Sequence, residues 1–218
     1  MQTHERTGQE VDASVGLRLD ICPQLEGGNP REEMDNLSTL VVAGRHRHGL
    51  GDQDGLRKAV DLLDGAFSES FLNEKNLGHV PTVQMLLEKS DRAIVLPLYL
   101  YEHGGRTIRT TPFSCPWDSG QVGFVFVSKA DAKREYGWTR LSASRVQRVI
   151  SVIEGEVSIY DQYLRNDVWG YTAYRGDELV DACAGFYGCK PAENGMLDAL
   201  PEEFHPLVHR GEFTYLLA

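Results

Sequence analysis

The chain has 218 residues, enough for one large domain or two small ones and enough to bury a core without disulfides. Its 22 Lys and Arg stand against 32 Asp and Glu, a formal net charge of −10, which argues against nonspecific binding to nucleic acid or to an anionic membrane, since both need a basic footprint. No run approaches the roughly 18 consecutive apolar residues of a membrane span, and the N-terminal MQTHERTGQEVD lacks an apolar signal core, so the sequence predicts a soluble protein of the cytoplasm. The cysteines, at 22, 115, 183 and 189, form no C-x-x-C pair; reduced, mostly buried thiols are expected rather than a zinc ribbon or a thioredoxin-type motif.

In chain order, Val15, Leu17, Leu19 and Ile21 alternate with Gly16, Arg18 and Asp20, the period-2 pattern of a half-buried strand that Cys22-Pro23 ends. Residues 24–36 are polar and rich in Gly, Pro and Asn and read as a loop; 37–43 reads as a second, buried strand. After the polar GRHRHGLGDQDG, apolar residues at Leu56, Val60, Leu63, Phe67 and Phe71 predict an amphipathic helix weakened at Gly65. A short helix is expected behind Pro81. RAIVLPLYLY, 92–101, is a strand whose Pro97 points to an edge or a bulge, and HGG turns it into an antiparallel return over 106–110. A strand over 121–128 follows, with Ser128 as the N-cap of a helix carrying Asp131 in its first turn. A longer helix runs from near Ser142 through Val146, Val149, Ile153 and Val157 to about Leu164. Segments 167–174 and 178–186 flank the turn YRGDE as a hairpin, and 213–217 reads as a final strand.

Strands and helices do not alternate regularly, so the expected class is α+β, a mixed or antiparallel sheet with several helices packed on it. One domain over residues 1–218 is expected, with residues 1–14 as a flexible tail. There is no internal repeat or low-complexity tract.

Chemistry-bearing residues concentrate in TTPFSCPWDSGQVGFVFVS, 110–128. The hairpin places His103 at one strand end and Cys115, Trp117, Asp118 and Ser119 on the loop leaving its partner. One reading is catalytic: Cys115 or Ser119 as nucleophile, His103 as base and Asp118 as its orienter, because such a nucleophile needs a proton acceptor held in one tautomer. It requires a His103 ring nitrogen within about 3 to 4 Å of Cys115 sulfur or of an Asp118 or Ser119 oxygen. The other reading is a turn in which Cys115 is buried, Pro116 stiffens the loop, Trp117 plugs the core, and Asp118 and Ser119 cap the chain before Gly120. Both readings place Trp117 in the interior; Trp117 and Gln121 are the candidate binding residues.

His46 and His48, two apart at a strand exit, form a His-x-His pattern that Asp52 could close as a metal site, although a third or fourth ligand is lacking. His205 and His209 are four apart, but Pro206 and Gly211 leave little room for a helix, and no role is assigned to them. The aromatic residues Tyr160, Tyr163, Trp169, Tyr171, Tyr174, Phe186 and Tyr187 lack basic neighbours and are expected in the core and on a hairpin face. There is no G-x-x-x-x-G-K-[ST], G-x-G-x-x-G or H-E-x-x-H, and no cofactor is expected.

The blocks MDNLSTLV, LPLYLYEHGG, PFSCPWDSGQVGF, KREYGW, GEVSIYDQYL and GFYG, spread between about residue 35 and residue 188, together resemble a family of uncharacterised proteins encoded by bacteriophages and mobile elements. PFSCPWDSGQVGF is the most specific of them, and VVAGRHRHGLGD departs from the pattern. The resemblance implies a genomic setting and assigns no catalysis. With the acidic balance and the missing cofactor motifs, it leads to the expectation of a phage-type accessory protein that binds a host or host-defence component in the host cytoplasm. The alternative is a Cys/His-dependent hydrolase built on His103 and Cys115–Ser119. A host protein is the expected partner, membranes and nonspecific nucleic acid are not, and a homo-oligomer is compatible with the sequence.

Overall fold

The computed structural model describes residues 16–24, 27–44 and 49–216. It is an α+β fold whose described residues gather into two compact units: Gly28–Arg165, and the residues up to Gly27 together with those from Asn166 onward. The described residues begin with β1 (Leu17–Pro23), a one-turn helix α1 (Pro30–Glu33) and β2 (Thr39–Val42). Three helices follow: α2 (Gly55–Asp61), α3 (Glu69–Asn73) and α4 (Val80–Ser90). Next come β3 (Ala93–Glu102), β4 (Arg106–Arg109), β5 (Ser119–Ser128), α5 (Lys129–Glu135) and the 22-residue α6 (Ala143–Leu164). The last part holds β6 (Val168–Arg175), β7 (Glu178–Tyr187), α7 (Met196–Ala199), α8 (His205–Arg210) and β8 (Thr214–Tyr215).

The larger unit is an antiparallel sheet in the order β2-β5-β3-β4 with helices on both faces. Period-2 alternation divides its residues. Leu40, Val42, Val125 and Val127 pack with Val149, Ile153, Val157 and Tyr160 of α6, whereas Val41, Phe124 and Phe126 meet Ala59, Leu63, Val83 and Leu87 on the other face. Because β5 is covered on both sides, its 124–127 segment is apolar at every position rather than at every second one. Pro97 satisfies both expectations for it. Only Tyr99–Glu102 of β3 pairs with β4, so Pro97 lies where β3 is an edge, beside the register shift at Leu98/Tyr99. On the outer side of β4, the Ile108 N–H donates to Asp161 of α6 at 2.8 Å, so a carboxylate occupies an edge donor that could otherwise pair with another chain.

The smaller unit is a mixed sheet in the order β7-β6-β1-β8. Its pairs are antiparallel except β1 with β8, which is parallel. Leu19, Ile21, Tyr171 and Ala173 line one face against Met196, Leu200, Phe204, Leu207 and Val208.

Capping chemistry sets several boundaries. Ser128 accepts the Asp131 N–H at 2.9 Å, as the sequence predicts, and Ser142 accepts that of Arg145 at the start of α6. The amphipathic helix predicted through Leu56, Val60, Leu63, Phe67 and Phe71 is two helices: α2 stops before Gly65, whose φ of 67° is left-handed, and Ser68 caps α3. Within the predicted loop 24–36, Asn29 caps α1 by accepting the Arg31 N–H at 3.0 Å. His205 and His209 do lie on a helix. Pro206 falls in its first turn, where its missing N–H is harmless, and Gly211, at φ 70°, ends it. The expectation of mostly buried thiols is corrected: all four cysteines are free, Cys183 and Cys189 are exposed, and Cys22 and Cys115 are partly so. Cys183 lies on the outer strand of the smaller sheet, where no further strand among the described residues pairs with it.

One ion cluster holds the larger unit together. The Arg31 guanidinium, 2% exposed, donates twice to Asp52, each bond 2.9 Å, and once each to Asn36, the Ser38 carbonyl and Glu156. Glu156 in turn accepts the Leu37 and Ser38 N–H groups at 2.7 and 3.0 Å and the Ser38 hydroxyl. The cluster ties α1, the entry to β2, the 50–54 loop and the middle of α6 to one another.

Two buried phenols predict alkaline sensitivity. Burial raises the pKa of both Tyr160 and Tyr171, and in Tyr171 the hydroxyl's hydrogen bond to Asp181, 2.6 Å, adds to the rise. In the unfolded chain these phenols ionise near pH 10. Above that pH the unfolded state holds fewer protons than the folded one, so stability is full below about pH 10 and falls as pH rises beyond it. Urea titrations at pH 8 and pH 10.5 are expected to show a lower midpoint at the higher pH, with Tyr171→Phe reducing the difference.

Candidate functional site

The β3–β4 turn and the loop entering β5 meet at one end of the larger sheet. The Glu102 N–H donates to the Asp118 carbonyl at 2.9 Å, extending the β3–β5 ladder into the loop. His103 Nδ1 then lies 3.5 Å from Asp118 Oδ2, and the Cys115 thiol donates to that same oxygen at 3.7 Å. His103, Cys115 and Asp118 therefore converge within the reach the catalytic reading requires.

The order of contacts differs from a nucleophile-base-orienter chain, because Asp118 sits in the middle and Cys115 meets the carboxylate. Cysteine nucleophiles act as thiolates and are activated by cations or an adjacent base. Here the sulfur donates its proton toward an anion. The Ser119 hydroxyl is also engaged, donating to the Cys115 carbonyl within its own loop. His103 is largely exposed, its side chain at 72%.

These contacts brace a tight loop, and the loop has a product. Ser119 closes it from below, Cys115 and Asp118 link across it, and Pro116 fixes one backbone angle. At its tip Trp117 is 92% exposed, which corrects the expectation that it fills the interior. Turn chemistry governs the loop's backbone, but whether a tip side chain is covered depends on what packs above it, and the described residues leave Trp117 open.

Trp117 stands at the rim of a groove of about 810 Å³ between α4 and the start of β5. Pro81, Gln84, Met85 and Glu88 of α4 form one wall; Gly120, Gln121 and Val122 form the other. Gln121 Nε2 donates to Gln84 Oε1 at 2.8 Å and to the Gly123 carbonyl at 3.1 Å, while Gln84 Nε2 donates to Glu88 at 3.0 Å, so an amide chain links the two walls. Met85 is 44% exposed. Both candidate binding residues, Trp117 and Gln121, line this groove, and so do Asp118 and Ser119. The α4 wall has no motif in the sequence; its one signal is Met85, an apolar residue off the buried stripe of Val83, Leu86 and Leu87.

His46 and His48 lie outside the described residues. Asp52, the third member of the metal reading, directs both carboxylate oxygens to the Arg31 fork and also accepts the Leu40 N–H at 3.0 Å. A cation bound to Asp52 would face a buried guanidinium. Among the described residues no group of three or more His, Cys, Asp or Glu could hold a metal ion, and no helix is long and apolar enough to cross a membrane. No protein-family model, curated protein or solved structure matches the chain.

Proposed function

We propose that this chain is a binding protein, a phage-type accessory factor that engages a host or host-defence protein in the host cytoplasm through the face carrying Trp117. The observation behind this reading is the near-complete exposure of Trp117 on a braced loop beside an open groove. A tryptophan can bury about 150–250 Å², and this one contributes almost none of it to the core. Interfaces draw most of their energy from a few such aromatic anchors, and a loop held in place before binding loses less entropy on docking. The phage setting rests on the resemblance of the PFSCPWDSGQVGF and LPLYLYEHGG blocks, and the choice of a protein partner on the net charge of −10.

The second reading, a Cys/His-dependent hydrolase, is favoured by the 3.5 Å approach of His103 to Asp118. It is weakened by the direction of the Cys115 thiol toward that carboxylate and by the use of the Ser119 hydroxyl in closing the loop. One experiment separates the two. In affinity capture from host lysate, Trp117→Ala is expected to weaken retention of the partner at least about thirtyfold, the effect of losing a hot spot of ~2 kcal/mol. Cys115→Ala and Asp118→Asn, which loosen the loop but keep its anchor, should weaken capture far less than Trp117→Ala and keep the biological effect. Capture should also fall toward 1 M salt, where the screening length shrinks to roughly 3 Å. Equal capture by wild type and Trp117→Ala would remove the binding reading from this face, and loss of the biological effect in Cys115→Ala with capture intact would favour the enzyme.

A further inference from the structure

We propose that the groove beside Trp117 takes a cationic segment of its partner, a short stretch with Lys or Arg next to an apolar residue; this rests on the binding reading above. The described lining includes three carboxylates, Glu88, Glu102 and Asp118, and no Lys or Arg. Glu102 shares Arg106 at 3.1 Å and Asp118 meets His103, but among the described residues Glu88 receives only the neutral amide of Gln84. An arriving ammonium or guanidinium would therefore find in Glu88 an exposed carboxylate on the groove wall that, among the described residues, no cation balances.

The rest of the groove suits the remainder of such a segment. The exposed face of Trp117 attracts a cation that lies within about 6 Å of the ring centroid. Pro81, Met85 and Val122 offer apolar contact for the stem of a Lys or for a neighbouring aliphatic side chain. The volume, about 810 Å³, falls within the roughly 300–1,000 Å³ of ligand sites and suits a few side chains rather than a folded domain. The same carboxylates disfavour the other occupants. Nucleic acid and anionic lipid would be repelled, and a second copy of a chain with net charge −10 would bring like charge to an acidic rim.

The test is selection of a random dodecapeptide library on the full-length protein at 50 mM NaCl, followed by titration of the recovered peptides against wild type, Trp117→Ala and Glu88→Gln. Both positions are exposed, so unchanged thermal midpoints will confirm that the variants are folded. Recovered peptides are expected to be enriched in Lys and Arg and depleted in Asp and Glu. They should bind at least tenfold more weakly to Trp117→Ala and about threefold to tenfold more weakly to Glu88→Gln, and should lose affinity as salt rises. Neutral or acidic peptides that still require Trp117 would overturn the cationic assignment while leaving the binding reading in place. Peptides that bind all three proteins equally, or recovery of none, would overturn the groove as the cationic site; the binding reading itself fails only if Trp117→Ala also captures the lysate partner as wild type does.

Discussion

Arg31→Ala is expected to lower the stability of the fold by about 3–5 kcal/mol, the range for removing one partner of a buried ion pair. The guanidinium is almost wholly buried, whereas Asp52 and Glu156 are exposed at 16% and 14%, so its removal leaves two largely buried carboxylates without their shared cation. It also strands the Ser38 carbonyl and Asn36, both of which accept from Arg31. A urea titration should show a lower midpoint with an unchanged slope, since the extent of surface exposed on unfolding stays the same. In the Arg31→Ala background, Glu156→Gln should cost less than it does alone, because neutralising one orphaned carboxylate then relieves repulsion. Such non-additivity is the signature of a coupled network. Additive losses, or a loss under about 1 kcal/mol, would show that the cluster is peripheral to the fold.

The second large effect is at Gly123, where Ala is expected to destabilise by at least about 3 kcal/mol, the upper end of overpacking penalties. A Cβ built there would lie 1.9 Å from the Val41 carbonyl oxygen and 2.9 Å from its carbon. The obstacle is the backbone of a paired strand, so relief requires β2 to move away from β5 and to give up part of their pairing at Val41–Phe124 and Val42–Gly123. Gly120→Ala, three residues earlier in the same strand, is the control. Nothing lies within 4 Å of its added Cβ, and its effect should stay within roughly 0.5 kcal/mol. Similar losses at the two positions would mean that strand conformation, rather than close approach of β2, governs the site.

Much of the local architecture was legible in the residues. Alternation marked β1, the 3.6-residue spacing of Val149, Ile153 and Val157 marked α6, and Ser128 and Ser142 marked two helix starts, because each signal depends on neighbours within a turn or a strand. The convergence of His103 with the Cys115–Ser119 loop was left open by the residues, which allowed it in one reading and not in the other; it follows from the pairing of Tyr101 with Ser119 across β3 and β5. Gln84, Met85 and Glu88, which complete the groove, were not legible; their helix carries no motif, and their place opposite β5 comes from sheet packing.

The contrast is clearest at Trp117 and Arg31. The sequence by itself determined that 115–119 would be a tight, polar loop leaving a strand, because Pro, Asp, Ser and Gly act on their own backbone. Only the tertiary structure decided that its tryptophan faces outward, since exposure depends on whether a distant segment lies over the tip. Likewise residues 24–36 read as a polar loop, in which Arg31 is one of the chain's 22 Lys and Arg. Its burial between Asp52 and Glu156, 21 and 125 positions away, was decided by the packing of the 50–54 loop and α6 around it. The same holds for the smaller sheet, in which β1 lies between β6 and β8 from the other end of the chain. Local patterns specify which face of a strand is apolar, but pairing between segments some 150 residues apart is selected by the core they close together, a property of no single stretch of sequence.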